Sequence, residues 1–505
     1  MIYAFYFHSI RFVNYLCKKY NIRKLIPHHT SIYKKTFFLI FLLLSTLNTF
    51  AQEIVNSLPL ELKKSSAVFQ IVNPEKNTVT LFVRDSLKIK AINLDEKMQI
   101  VDSISAKRPN LKTYTNIIGY NKSNGNTRLF WSSTNYEAIF AQLFNTNSRE
   151  TITKEYKLVL KNEKVIQKFS QDENFYILTV LKNSDIFKMY IFDSEGNYTE
   201  KMITTEGFHF FTSDYKKSDL YTAFSESLLP FEAPFSLQNI TVENQTSLID
   251  AAKKRKCYFN TKQLVITLDT NIDFTQMILI DLQSFTATEK MIKKQYLVGD
   301  RKFLNSNSFY FDNKLYQLKT SSGIIYFTIK DLEDNILKEY FANSTKPIAF
   351  KNSEFHEQGG SLRAKRTLAS SPLFILKSNN LFLGLSCYQT GLNTFITFGG
   401  VSELKQSADQ TTINQFGLTE DIVFSTSMED FDSSSNRRVV KTEGLFDTAG
   451  NRIKGKLVSL ASDKISTFFD KNNTVSAQTL FKLDAYYLGY YDNKTKEYIF
   501  RKFED

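Results

Sequence analysis

The residues able to do chemistry are few. Past residue 51 the chain holds two histidines, His209 and His356, and two cysteines, Cys257 and Cys387. That scarcity excludes a multi-histidine zinc or iron site and leaves little for a Ser-His-Asp relay. His356 stands in Glu354-Phe355-His356-Glu357, with Gly359-Gly360 beyond it and Arg363, Lys365 and Arg366 close by. An imidazole flanked by carboxylates and guanidinium groups on a loop is suited to binding an anion or acting as a general base. Glu354, His356, Glu357 and Arg363 are therefore the candidate ligand-binding residues, although a solvated loop of mixed charge has the same composition. His209, inside Phe208-His209-Phe210-Phe211, reads as a core histidine in an apolar strand.

Two stretches offer oxygen ligands at close spacing. Asp269-Thr270-Asn271-Ile272-Asp273 fails the calcium-loop pattern, since Phe274 and Ile280 stand where Gly and a bidentate Glu are needed, and reads as a polar hairpin turn. Glu429-Asp430-Phe431-Asp432, followed by three serines and Asn436, is denser in oxygen, and Asp430 and Asp432 are the candidate Ca2+ ligands. No other cofactor is expected. The basic run Lys253-Lys254-Arg255-Lys256 reads as a solvated corner between sheets rather than a nucleic-acid contact. Cys257 and Cys387, 130 residues apart, read as small buried hydrophobes, with a disulfide left open. The aromatic run Tyr486–Tyr491 fits either a stacking groove or a core strand, and 52 acidic residues leave many carboxylate pairs for glycoside hydrolysis without selecting one.

The elements that would position these residues are strands. Phe192-Asp193-Ser194-Glu195-Gly196-Asn197 recurs as Phe446-Asp447-Thr448-Ala449-Gly450-Asn451, each after an apolar strand and before a short alternating one. Asp caps such a turn through its own backbone and Gly supplies a positive φ, which is hairpin chemistry. Looser versions centre on residues 95, 145, 239, 281, 331 and 492, a period of about 40–50 residues of the kind expected for propeller blades. Strands such as Met189–Phe192 and Leu381–Leu385 are apolar on successive residues, which requires burial on both faces. The expected fold is all-β, a β-propeller of seven or eight four-stranded blades over residues 52–505, with insertions near 344–370 and 402–437. The alternative is a six-bladed propeller to about residue 343 followed by a separate β-domain.

Composition agrees with a folded chain. The 505 residues are 42% hydrophobic and 23% charged, with 45 Phe and 26 Tyr but only 17 Gly and 8 Pro, too apolar for disorder and too poor in Gly and Pro for a collagenous chain. The net charge of +12 is unevenly placed: residues 1–51 hold seven Lys or Arg and no acid, leaving 57 Lys+Arg against 52 Asp+Glu in the remainder. Lys34-Lys35, the apolar run Phe37–Leu44 and Thr49-Phe50-Ala51 form a basic, apolar and small-residue series that predicts an export signal cleaved after Ala51. The apolar run is shorter than the roughly 20 residues that span a bilayer. Residues 1–31 are long for such a leader, and an initiator at Ile32 would give an ordinary one. With most of the charge in the leader, nucleic acid is not an expected partner.

The leader ending Phe50-Ala51-Gln52, the Phe-Asp-x-x-Gly-Asn hairpins and the four-strand units together resemble the exported β-propeller proteins of Gram-negative bacteria. The Trp-Asp signature of WD40 repeats is absent, since the single Trp131 precedes Ser132. The resemblance is architectural and implies no catalytic residue. The expectation is a monomeric, non-enzymatic binding scaffold for a protein, peptide or glycan in the periplasm, at the cell surface or secreted, with no transmembrane anchor after cleavage. The alternative is a hydrolase or lyase using channel carboxylates on polysaccharide or peptide.

Overall fold

The computed structural model describes residues 53–505 apart from 64–65, 124, 172, 242, 261, 298–303, 360–364, 404–436 and 473–474. The expected export leader with its expected cleavage point at Ala51, the candidate ligand-binding Arg363, and the candidate Ca2+ ligands Asp430 and Asp432 lie outside the described residues.

Continuous apolar runs become strands covered on both faces. Asn174–Leu181 and Tyr486–Asp492 are buried at nearly every position, whereas outer strands such as Glu150–Lys157 and Tyr198–Thr204 are mostly exposed. Such strands assemble into seven sheets of four or five strands among the described residues, with one short two-stranded ribbon, Phe210–Phe211 with Lys217–Ser218. The first, second, third and fifth sheets are antiparallel meanders over 67–107, 116–157, 163–204 and 305–342. The fourth adds Gln238–Ile240 to such a meander, paired parallel to Arg255–Phe259. In the sixth, His356–Gly359 pairs with the later strand Arg438–Phe446, so part of the insertion near 344–370 is a sheet edge. In the seventh, the N-terminal strand Glu53–Pro59 lies beside Glu497–Phe503.

Apolar clusters join successive sheets. Ile92 and Leu81 of the first sheet share one with Phe481 and Tyr498 of the seventh, and Phe69 and Phe82 share another with Trp131 and Phe144 of the second. Phe130 meets Phe175 and Phe192 of the third sheet, and Leu178 and Met189 meet Ile266 and Ile278 of the fourth. A larger cluster runs from Tyr258 through Phe309 and Phe327 to Phe398 and Phe446, linking the fourth, fifth and sixth. Tyr388 and Phe395 of the sixth sheet share a cluster with Tyr486 and Leu488 of the seventh. Among the described residues beyond 343, Phe350, Phe398 and Phe446 share the larger cluster with Phe309 and Phe327 of the fifth sheet.

The repeated hairpin occurs once in each of the seven sheets, in two lengths. Asp95, Asp193, Asp331 and Asp447 each accept, on Oδ1, a hydrogen bond from the backbone N–H four residues on, and the third residue on has positive φ: Met98, Gly196, Asp334 and Gly450. Asn145, Asp281 and Asp492 head turns one residue longer, with positive φ at Arg149, Phe285 and Lys496. The mark at Asn239 is different: it lies in the added parallel strand and heads no hairpin.

Candidate functional site

A cavity of 1110 Å³ is bounded by Ala67–Asn73, Asn116–Ser123, Glu163–Gln171 and Ser476–Lys482, strands of the first, second, third and seventh sheets, and by described residues of the segment 238–247. The wall strands are stitched to one another by side chains. Gln70 Nε2 donates to the Leu480 carbonyl at 2.8 Å, and the Tyr120 N–H donates to Ser170 Oγ at 3.1 Å. The segment 238–247 is held across the cavity by Lys482 Nζ, which donates to the Glu243 carbonyl and to the Tyr388 hydroxyl, both at 2.9 Å. Gln245 N–H donates to the Tyr486 hydroxyl at 3.2 Å. Burial holds the Lys482 ammonium below its usual pKa, against the pull of Asp505 and Glu243, and the ammonium lies over the Tyr388 and Tyr486 rings.

The lining is rich in carboxamides and hydroxyls. Among the described residues four lysines and four carboxylates also line it. Asp250 is already engaged by Ser247 Oγ at 2.8 Å and Lys253 Nζ at 2.9 Å. Phe169 and Phe259, ring centroids 4.3 Å apart, and Phe481 supply apolar surface. Such a mixture of apolar surface with a few placed polar groups is what small-ligand sites are built from.

The sequence candidates lie elsewhere. Glu354 to Glu357 runs into the outer part of the sixth sheet, where successive side chains point to opposite faces. Glu357 is buried and receives Arg366 Nε at 2.7 Å, Arg438 Nε at 2.6 Å and Lys377 Nζ at 3.1 Å. Burial pushes its pKa up, but these three cations outweigh it and hold the carboxyl below its usual value. Glu354 is exposed and accepts from Thr367 Oγ1 at 3.0 Å. His356 is half-buried, and burial, reinforced by Lys365 and Lys441 against Glu443 and Glu354, lowers its pKa. The strand therefore separates the imidazole from the carboxylate that the cations grip.

Two expectations are corrected. His209 is not a core residue: its side chain is 61% exposed, with Nδ1 2.8 Å from Glu289 Oε2. Its segment forms only the short edge ribbon, which buries Phe210 and leaves the imidazole outside. The run Lys253–Lys256 is not a solvated corner. Arg255 and Lys256 begin a buried strand, and Lys256 and Lys294 converge on Asp269 at 3.4 and 2.8 Å. Ser308 Oγ and Thr275 Oγ1 also donate to Asp269. Burial drives the Lys254 pKa down to about 8, and Lys294 and Lys256 add to the effect. The Asp269 turn, expected to be merely polar, is thus the anion of an interior charge cluster.

The aromatic run beginning at Tyr486 is a buried strand of the seventh sheet. Both cysteines are buried and free, and burial raises the Cys257 thiol to about 12. Sequence reasoning missed the cavity residues. The available signal was Gln70, a polar residue in the middle of the apolar run Ala67–Val72 that is 3% exposed.

No family model matches the chain, and no curated protein matches it. Solved structures similar to it include a variant of Synechocystis apocarotenoid oxygenase, at 8% identity over 56% of this chain and 66% of that one, with a TM-score of 0.28. A prolyl endopeptidase is 7% identical over 68% of this chain and 48% of that one, with a TM-score of 0.28. The Malassezia sympodialis allergen Mala s 1 is 7% identical over 67% and 91%, with a TM-score of 0.24. The chain spans less than two thirds of the length of the oxygenases, and scores this low carry no argument about fold or activity.

Proposed function

We propose that the mature chain is an exported seven-bladed β-propeller that acts as a non-enzymatic binding module in the cell envelope. Support for the ring comes from one capped hairpin per sheet, from apolar clusters that join each sheet to the next and the seventh to the first, and from the N-terminal strand lying within the last sheet. Support for export comes from the leader ahead of Gln52, which holds seven of the positive charges.

The observation that carries the binding reading is the lining of the cavity. Among the described residues it offers carboxamides, hydroxyls and aromatic faces, with neither histidine nor cysteine. Such groups hold a ligand in a fixed pose, whereas acid–base chemistry needs a titratable pair set to its task. The test is incubation of the chain from Gln52 onward with peptide and oligosaccharide libraries, followed by mass spectrometry of both the complex and the supernatant. A stoichiometric complex with unaltered ligand is expected. A cleaved or eliminated product would replace this reading with the hydrolase or lyase.

A further inference from the structure

Two junctions between sheets share one set of contacts. Lys154-Glu155-Tyr156 in the outer strand of the second sheet recurs as Lys338-Glu339-Tyr340 in the outer strand of the fifth. Each tripeptide lies against the Phe-Asp-x-x-Gly-Asn turn of the following sheet. The Tyr156 hydroxyl donates to the Gly196 carbonyl at 2.6 Å, and that of Tyr340 to the Gly450 carbonyl at 2.8 Å. Lys154 Nζ donates to the same Gly196 carbonyl at 2.7 Å, and Lys338 Nζ to Asn451 Oδ1 at 2.6 Å. Each phenol ring also stands edge-on to the phenylalanine that opens the turn, Tyr156 with its centroid 5.2 Å from that of Phe192 and Tyr340 5.8 Å from Phe446. A cation from the second strand of each preceding sheet completes the set: Arg128 Nη1 donates to the Ser194 carbonyl at 2.8 Å, and Lys314 Nζ to the equivalent Thr448 carbonyl at 3.4 Å.

The turns are shaped to be gripped. Gly196 and Gly450 are buried with positive φ. A Cβ at Gly196 would lie 3.2 Å from Arg128 and 3.4 Å from Tyr156, and one at Gly450 would lie 2.8 Å from Ile329 and 3.3 Å from Lys338, all residues of the preceding sheet. Glycine is thus what lets the tyrosine reach the carbonyl. Burial raises the pKa of both phenols, that of Tyr156 to about 12, so each hydroxyl stays protonated and able to donate. The other two short turns are held by different groups, the Met98 carbonyl by Asn56 Nδ2 at 2.6 Å and Asp334 Oδ1 by the Lys293 backbone N–H at 3.2 Å. Outer strands such as Glu150–Lys157 bury little, so local opening starts there. Peeling one away would leave the turn carbonyls of the next sheet without their donors, which is costly for buried acceptors.

We infer that these are two copies of one inter-sheet clamp, which makes the second sheet open together with the third and the fifth together with the sixth. The test is hydrogen exchange read by mass spectrometry on the chain from Gln52 onward, comparing the parent with Tyr156→Phe and Tyr340→Phe. Tyr156→Phe should speed exchange by roughly three- to tenfold in both 150–157 and 193–204, and leave 336–342 and 447–453 at the parent rate. Tyr340→Phe should do the reverse. Lys154→Met and Lys338→Met keep the rings packed, so they should give the same two patterns more weakly and carry the test if a tyrosine variant fails to fold. Faster exchange on one side of a junction alone, unchanged exchange on both sides, or equal acceleration at both junctions from either substitution overturns the inference.

Discussion

Arg255 and Glu232 form a salt bridge, Nε to Oε1 at 3.0 Å, in which neither side chain reaches solvent. Glu232 also accepts the backbone N–H of Arg255 at 3.0 Å and of Lys254 at 2.8 Å. The guanidinium goes on to the carbonyls of Phe224, Glu226 and Ala233, so the pair fastens the connection between the third and fourth sheets to the start of a core strand. Removing one partner strands the other charge in the interior. Glu232→Ala is expected to cost about 3–5 kcal/mol, read by urea denaturation. The double variant Glu232→Leu with Arg255→Met should lose clearly less than the two single losses added together. Additive losses would mean that the two side chains act independently.

How much of this was legible depends on the range of the signal. The hairpins at 193 and 447 are local: one aspartate caps the turn through its own backbone, and one glycine supplies the positive φ, so six residues suffice to recognise them. Asn239 broke the register because an apolar residue beside an amide also describes a short parallel strand. The Lys253–Lys256 run misled because its partners, Glu232, Asp269 and Lys294, are 13 or more residues away in sequence. The cavity was hidden for the same reason, since its wall combines strands from four sheets with a connecting segment.

Lys254 makes stability rise with pH in the alkaline range. Burial pushes its pKa down to about 8 in the folded chain, against about 10.4 for an ordinary lysine. Between those values the unfolded chain retains a proton that the native one has released, so unfolding becomes less favourable as pH increases. The contribution is flat below about pH 8 and grows to roughly 2 kcal/mol by pH 9.5. Lys254→Met removes that proton and should make the rise smaller, the remainder coming from Lys256, whose pKa burial also lowers. Denaturation of both forms at pH 7.5 and 9.5 reads it, and parallel pH profiles would show that the ammonium does not titrate in this window.

The hairpins predict opposite signs for two substitutions. Gly196 has φ +84° and a Cβ there would lie 3.2 Å from the Arg128 guanidinium, so Gly196→Ala adds backbone strain and a tight contact. A loss of about 1–2 kcal/mol is expected. Lys496 adopts φ +63° on an exposed turn, and Lys496→Gly relieves that strain at the cost of chain entropy, for a gain of up to about 1 kcal/mol. Thermal melts of the two variants should move in opposite directions from the parent, and a shared sign would refute the turn argument.

Strand Glu53–Pro59 covers the edge of Glu497–Phe503, and Leu58, 3% exposed, packs into the cluster shared by the seventh and first sheets. Without it that edge presents unpaired N–H and C=O groups and the cluster opens to water, a template for association with other chains. A chain beginning at residue 60 should therefore melt lower and associate at micromolar concentration, as read by size-exclusion chromatography with light scattering. Leu58→Ala, which keeps the backbone pairing and removes only the apolar contact, should cost about 2–4 kcal/mol without association. This pair of variants separates the two contributions of the strand. A truncated chain that stays monomeric with an unchanged melting temperature would mean that neither the edge pairing nor the closure of the seventh sheet by the N-terminal strand supports the fold.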